Sequence, residues 1–198
     1  VPATADDTAQ ILARHGDNHE KAYLEYLKTK YKNVLEVSHE PSRIEATSKA
    51  MTSRADVIFQ AALKDEHFAG CADFLIISQS RHRTVYDIAD TKLARSNRAK
   101  FMLQLGLYAD LLAGMQAQLP NELIVVLGNT QADGTWNEQR VLTTDFIHYT
   151  RAVKARFLTF VSDPEQAIET VNPIPVAACS MCRWRDTCAA IWTGRDDL

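Results

Sequence analysis

The hydrophobic pattern near the start of the chain is that of one long helix. Six positions recur at spacings of three and four and therefore share one helix face: Leu12, His15, His19, Ala22, Tyr23 and Tyr26. We expect this helix to run over about residues 5–31. Pro41 and Ser42 then predict the start of a shorter helix over about 43–53.

Three β-prone segments follow, over residues 56–63, 70–78 and 84–92. The polar stretch between the last two predicts a hairpin, so we expect these two strands to pair antiparallel. A strongly apolar helix is predicted over about 97–118, with Pro120 ending it, and a buried strand over 122–128. A weaker strand near 138–142 and a helix over about 144–161 complete a mixed α/β (α+β) pattern.

Composition excludes several classes of protein. The 198 residues are 46% hydrophobic and 24% charged, which is typical of a globular domain and not of a disordered chain or a collagen. No apolar run approaches the roughly 18 residues of a membrane span, so we expect no membrane partner. The start of the chain lacks a secretion signal, which favours a cytoplasmic location, and its first residue is Val1, which suggests a start within a longer protein.

The last segment differs from the rest of the chain in composition and in hydrophobic periodicity. Residues 171–198 contain few periodic positions and three of the four cysteines, at C-x2-C-x5-C: Cys179, Cys182 and Cys188. We therefore divide the chain into a core over 1–170 and a cysteine module over 171–198 that packs on the same domain. Three crowded thiols in a chain without a secretion signal indicate metal binding before disulfides.

Iron–sulfur clusters and structural zinc both normally take four ligands, so these three cysteines need a fourth partner. Zinc completed by His148, and three buried cysteines without metal, are alternatives that the spacing leaves open. Cys71 is the only other cysteine. It lies two residues from Asp73, so we expect it beside a different site, on the same strand face.

Two aspartates stand in otherwise apolar strands. Asp73 is preceded by Ala72 and followed by Phe74, and Asp90 lies two residues before Lys92, on the same strand face. A charge in such a strand is costly unless it is paired or binds a metal. The pattern predicts a site for Mg²⁺ or Mn²⁺, which prefer carboxylate oxygens, although a solvated Asp–Lys pair gives the same spacing.

Two further features have both a structural and a functional interpretation. His19 lies on the apolar face of the first helix, where a histidine is more often a packed core residue than a ligand. Gln104 and Tyr108 lie one turn apart on the helix after the strands and share a face. Each of these features alone is also typical of the edge of a core.

Taken together and in order, these motifs resemble the RecB-type branch of the PD-(D/E)XK nuclease superfamily, and more narrowly its iron–sulfur members, which occur alone or fused to helicases. The resemblance extends over almost the whole chain and is carried by GDNHE (16–20), FAGCADFLI (68–76), VYDIADTK (85–92), QLGLY (104–108) and CSMCRWRDTC (179–188).

The resemblance implies a PD-(D/E)XK core, with a central mixed sheet flanked by helices. It implies that His19, Asp73 and Asp90 hold Mg²⁺ or Mn²⁺, that Lys92 is catalytic, and that Gln104 and Tyr108 place the nucleic acid and the lysine. It also implies an iron–sulfur cluster on Cys179, Cys182 and Cys188. The fourth thiolate usually precedes the first helix in that family, so we expect it upstream of Val1.

The charge pattern indicates which kind of partner would bind at these motifs. The net charge of the chain is −3, yet six basic residues lie within 81–100, near the predicted site: Arg81, Arg83, Lys92, Arg95, Arg98 and Lys100. Arg151, Lys154 and Arg156 extend this set. Basic residues beside a metal site suit a phosphodiester backbone, and few exposed aromatic residues are expected, which favours backbone contacts over base recognition.

We therefore expect a metal-dependent deoxyribonuclease, acting as an exonuclease on single-stranded DNA or DNA ends in DNA repair or recombination, with a helicase domain in the same or a partner chain. Two alternatives from other classes stay open. One is a catalytically silent nucleic-acid-binding or scaffold module, and the other is a zinc-binding interaction domain.

Overall fold

The computed structural model describes residues 7–80, 83–163, 165–166 and 172–195. The chain divides into a larger unit, Ile11–Lys154, and a smaller unit that contains the chain from Ala155 onward together with the described residues before Ile11. The predicted boundary between 170 and 171 lies outside the described residues and stays a prediction. Among the described helices, none has both the length and the apolar character that crossing a bilayer requires.

The elements follow one another in the order α1 (Asp7–Lys30), β1 (Val34–Glu36), α2 (Arg43–Thr52), β2 (Val57–Lys64), β3 (Ala69–Ser80), β4 (Arg83–Lys92), α3 (Ala99–Gln116), β5 (Glu122–Thr130), β6 (Trp136–Leu142), α4 (Thr143–Ser162), a 3₁₀ helix (Ala177–Met181) and α5 (Arg185–Arg195).

The six strands form one mixed sheet in sequence order, β1-β2-β3-β4-β5-β6. The β1–β2 and β4–β5 pairs are parallel and the other three pairs are antiparallel. A parallel neighbour requires a crossover, and α2 and α3 lie in the two crossover connections. The predicted fold class, mixed α/β with a central mixed sheet flanked by helices, is confirmed.

Each face of the sheet carries its own core. On one face, residues of α2, α3 and α4 pack with strand residues that include Ile58 and Leu75. On the other face, α1 packs on residues that include Phe59 and Phe74. The central strands β3 and β4 are therefore covered on both faces, which explains why apolar residues occupy successive positions in them, over 74–77 in β3 and at Val85–Tyr86 and Ile88–Ala89 in β4.

The buried stripe of α1 differs from the predicted one. Tyr23, Leu24 and Leu27 are buried, whereas His15 and Ala22, which we placed on the inward face, are exposed. Successive residues of a helix lie about 100° apart around its axis. The buried face of α1 is rotated around that axis by less than this angle from the predicted face. This rotation brings Glu20, four residues before Leu24, to the side of the helix that faces the sheet.

Two neighbouring strands break their side-chain alternation at the same level. Ile58 and Ala61 are three residues apart and belong to the same core, as do Leu75 and Ala72 on the paired strand. The pairs Phe59–Phe74 and Ala61–Ala72 enclose Gln60 and Asp73, which lie between them. Gln60 has a φ of +59°, so the backbone itself inverts the alternation there. Asp73 therefore lies at a point where the sheet is locally irregular.

The remaining elements agree with the sequence pattern to within a few residues, with three exceptions. The strands β3 and β4 continue to Ser80 and Arg83, into the stretch that we predicted as a hairpin loop, and its other residues, Arg81 and His82, lie outside the described residues. The short strand β1 was not predicted. The segment after residue 171, in which few periodic positions predicted no particular element, contains the 3₁₀ helix and α5.

Candidate active site and metal centre

Asp90 and Lys92, at the end of β4, form an ion pair, as their shared strand face requires. Asp90 is 1% exposed, and its Oδ2 lies against Lys92 Nζ without the alignment of a regular hydrogen bond. Burial raises the pKa of Asp90, and the nearby charge of Asp73 raises it further, while Lys92 lowers it. One ammonium thus only partly compensates this buried carboxylate.

Asp73, on β3, lies next to Asp90 and is held by the neighbouring strand. Its Oδ2 accepts hydrogen bonds from the Thr91 backbone N–H and from Thr91 Oγ1, each at 2.8 Å. Burial raises the pKa of Asp73, and the Thr91 hydrogen bonds, Lys92 and His19 counteract that rise. Thr91, which lies between Asp90 and Lys92 in the sequence, therefore fixes the Asp73 carboxylate, a positioning role that sequence reasoning did not assign.

His19 reaches this site from α1. Its ring packs on Trp136 with 5.3 Å between the ring centroids, and its Nε2 is buried without a hydrogen-bond partner in the part of the chain that the structure describes. A buried ring nitrogen without a partner is costly, and a lone pair directed to a cation would remove that cost. The packed-core interpretation accounts for the ring of His19 but leaves this nitrogen unexplained.

Glu20 is a site residue that sequence reasoning missed. Its Oε1 accepts a hydrogen bond from Gln60 Nε2, and its pKa is raised to about 7 by burial and by Asp73, with smaller effects of Asp17 and Asp90, although the Gln60 hydrogen bond lowers it. A carboxylate beside His19 was visible in the sequence. The rotation of α1 that turns it toward the sheet was not.

The acidic residues of this site fit a hard divalent cation by chemistry, because carboxylate oxygens and imidazole nitrogen are ligands that Mg²⁺ and Mn²⁺ accept. Each carboxylate in the structure has a protein partner instead: Lys92 for Asp90, Thr91 for Asp73 and Gln60 for Glu20. Among the described residues, no three His, Cys, Asp or Glu side chains are close enough together to hold a metal in this arrangement. Binding would require Asp90 and Asp73 to turn oxygens away from Lys92 and Thr91, and Glu20 to turn its Oε2, which Gln60 does not engage, toward the cation.

Without a cation, we expect the stability of the protein to fall as pH rises from about 5 to 8. The pKa values of Glu20 and Asp90 are raised in the folded state, so both favour folding while protonated and lose that contribution as pH rises through their folded pKa values, about 7 for Glu20. Thermal unfolding in EDTA at four pH values measures this slope. The double variant Glu20→Gln/Asp90→Asn should flatten it, and a wild-type Tm that rises over this window would contradict the assignment.

Gln104 and Tyr108 form a polar pair on α3, as predicted, with Gln104 Nε2 donating to the Tyr108 hydroxyl at 3.0 Å. Burial raises the pKa of Tyr108, Gln104 lowers it, and the charges of Asp90 and Asp73 raise it further. Because that oxygen accepts from Gln104, its own proton is free to be donated. A Cβ on Gly70 would lie 2.4 Å from Tyr108 Cε1, so only glycine fits under the ring.

The basic residues do not form one patch. Arg83 and Lys92 lie at opposite ends of β4, which puts them about 30 Å apart at 3.3 Å per residue. Arg95, Arg98 and Lys100 are exposed and follow Lys92 directly. Arg151 and Lys154, which we expected to extend the basic set, instead pair with Asp110, and Lys154 also pairs with Asp65. The basic residues near the site are therefore those of residues 92–100.

The cysteines of the smaller unit lie in the 3₁₀ helix and around the start of α5. Cys179, Cys182 and Cys188 are free thiols, and within the described residues they do not form a group that could hold a metal as placed. The iron–sulfur cluster stays a prediction. Burial of Cys71 raises the pKa of its thiol, the Arg43 guanidinium lowers it, and the charges of Asp73 and Glu20 raise it further.

Comparison with known proteins adds little to this geometry. No protein-family model and no curated protein sequence matches the chain significantly. Among solved structures, it is similar to the crystal structure of SSO0001, at a TM-score of 0.34 and 13% sequence identity, covering 90% of this chain and 82% of that one. A likeness at that level assigns neither a fold family nor an activity.

Proposed function

We propose that this protein is a Mg²⁺- or Mn²⁺-dependent deoxyribonuclease with a PD-(D/E)XK core, which hydrolyses phosphodiester bonds in single-stranded DNA or at DNA ends. The observation that carries the proposal is the pair of Asp73, which is half-buried, and Asp90, which is buried, whose negative charge the single ammonium of Lys92 only partly compensates. Carboxylates whose pKa values are raised by burial are typical of functional sites, and here Asp73 raises the pKa of Asp90 further.

In this proposal, His19, Asp73 and Asp90 hold the cation, which polarises the phosphate and lowers the pKa of a bound water. Lys92 lies beside Asp90 and stabilises the negative charge that grows on the phosphoryl oxygens. Water forms the new bond to phosphorus and loses a proton, the bond to the departing sugar oxygen breaks, and that oxygen takes up a proton.

Residues on the α3 side place the substrate. The Tyr108 hydroxyl can donate its proton to a phosphate oxygen, since it already accepts from Gln104. Arg95, Arg98 and Lys100 supply sequence-independent contacts to the DNA backbone, for which binding should weaken as salt increases.

The experiment that tests this function compares four labelled substrates: linear single-stranded DNA, circular single-stranded DNA, blunt duplex DNA and single-stranded RNA, each with Mn²⁺, Mg²⁺ or EDTA. We expect metal-dependent loss of the linear DNA, while the circular DNA survives because it has no end. DNA that is bound but never cut would contradict the proposal and favour the catalytically silent module.

We expect Gly70→Ala to reduce cleavage about tenfold or more while the fold is retained, because the added Cβ displaces the half-buried Tyr108 ring and breaks its hydrogen bond with Gln104. Initial cleavage rates measure the effect. Gly114→Ala is the matched control, since nothing lies within 4 Å of that position and alanine favours the helix. Equal rates for the two variants would remove Tyr108 from the substrate-positioning group.

The cysteine module has a structural role in this proposal, separate from catalysis. We propose that Cys179, Cys182 and Cys188 are ligands of an iron–sulfur cluster that stabilises the C-terminal segment. No step of phosphodiester hydrolysis depends on it.

A further inference from the structure

Gln60 adopts a backbone conformation that its residue type disfavours. Its φ of +59° lies in the left-handed region, inside strand β2, where residues other than glycine are uncommon. Such a conformation persists only where surrounding contacts stabilise it. The hydrogen bonds of Gln60 therefore show which interactions stabilise its positive φ.

The side-chain amide of Gln60 is held in one orientation. Arg43 Nη2 donates to the Gln60 backbone oxygen at 2.7 Å and lies 3.4 Å from Oε1, and the Cys71 thiol donates to Oε1 at 3.1 Å. A guanidinium has only donors, so Oε1 must face Arg43. The opposite atom, Nε2, then points to Glu20 and donates to its Oε1.

We propose that Glu20 contributes a third carboxylate to the divalent-cation site, and that Gln60 is the positioning residue that holds it there. The inference rests on the proposed function, because it needs a cation at Asp73 and Asp90. In the described part of the chain, Gln60 engages only one oxygen of Glu20 and leaves Oε2 for other partners.

The charges of the site support this assignment. When ionised, the carboxylates of Glu20, Asp73 and Asp90 together with the Lys92 ammonium carry a formal charge of −2, the complement of one divalent cation. In the part of the chain that the structure describes, His19 Nε2 is buried without a hydrogen-bond partner, and Asp90 Oδ2, on a residue that is 1% exposed, pairs with the Lys92 ammonium but accepts no aligned hydrogen bond. Gln60 and Asp73 lie at the same level of the paired strands, between the Phe59–Phe74 and Ala61–Ala72 pairs, so Gln60 holds the Glu20 carboxylate at the level of Asp73.

The test measures Mn²⁺ affinity by calorimetry, with no DNA present. Glu20→Gln removes the charge and keeps the shape. Gln60→Asn keeps the amide and tolerates a positive φ, but it is one methylene too short to reach Glu20. Each should weaken Mn²⁺ binding about tenfold or more. Glu25→Gln is the control, because Glu25 lies exposed on the same helix and pairs with Lys28, and its affinity should stay within about twofold of wild type.

Circular dichroism and thermal unfolding establish that each variant is folded, and Gln60→Gly, which adopts a positive φ freely, replaces Gln60→Asn if the latter unfolds. Wild-type affinity in Glu20→Gln and in the Gln60 variants would overturn this inference, while a loss confined to Asp90→Asn would leave the proposed function intact. A wild-type protein that binds no Mn²⁺ would overturn both.

Discussion

Replacing Lys92 by methionine should reduce DNA cleavage by about 10²–10³-fold and leave the fold and DNA binding nearly unchanged. Methionine keeps the length and the apolar stem of the side chain, so the loss is confined to the ammonium that faces Asp90. The buried carboxylate can take up a proton once its partner is gone, which limits the cost in stability. Single-turnover cleavage of labelled single-stranded DNA measures the effect.

Lys100→Met is the matched control for that variant. The ammonium groups of Lys92 and Lys100 lie 5.6 and 5.5 Å from the centre of the Phe101 ring, so both variants lose a comparable contact with the same aromatic residue. Only Lys92 contacts a carboxylate of the site. Lys100→Met should weaken DNA binding slightly, mostly at low salt, and keep the cleavage step. Full Mn²⁺-dependent cleavage by Lys92→Met would refute its catalytic role.

Replacing Asp90 by asparagine should abolish metal-dependent cleavage, a loss of at least about 10³-fold, without lowering the stability of the metal-free protein at pH 8. The reason is that Asp90 is already under-compensated: burial and Asp73 both disfavour its charge. Lys92 remains partly exposed and keeps Asp73 as a nearby carboxylate. Cleavage rates and thermal unfolding in EDTA measure the two effects.

Asp87 provides the contrast on the same strand. It is also buried, at 4% exposed, but its Oδ1 accepts hydrogen bonds from the backbone N–H groups of Asn121 and Glu122 at 2.6 and 3.1 Å. Asp87→Ala removes this acceptor and should therefore cost roughly 1–3 kcal/mol of folding free energy and leave the chemistry of the site intact. If Asp90→Asn destabilises the metal-free protein as much as Asp87→Ala does, Asp90 is a structural residue and not a ligand.

Much of the fold could be predicted because the sheet imposes strong patterns on the sequence. The strands β2 to β5 are rich in apolar residues, and a helix long enough for several turns reveals its period. The strand β1 has only three residues, too few for any periodicity to show. The helix α5 follows a segment rich in proline and cysteine, whose composition concealed it.

The parts of the site that could be predicted are the charged residues that stand among apolar ones. Asp73 and Asp90 stand in apolar strands, and Lys92 follows by the period of two, so their proximity to one another followed from the sequence. The places of Glu20 and Gln60 in the site could not be predicted from residue spacing. They depend on the rotation of α1 about its axis and on the sign of φ at Gln60. Gln60 is nevertheless the single polar residue inside the apolar run of β2. A polar residue at such a position indicates a specific hydrogen-bonding role.

The proposed function depends on a divalent cation bound by Asp73 and Asp90. An anomalous difference map from crystals of the Lys92→Met variant, soaked in Mn²⁺ with a short single-stranded DNA, would locate that cation. We expect an Mn²⁺ peak bound by both aspartates, with a phosphate of the DNA on the open side of the ion. Manganese bound only at Cys179, Cys182 and Cys188, or DNA bound away from an ion-free aspartate pair, would contradict it.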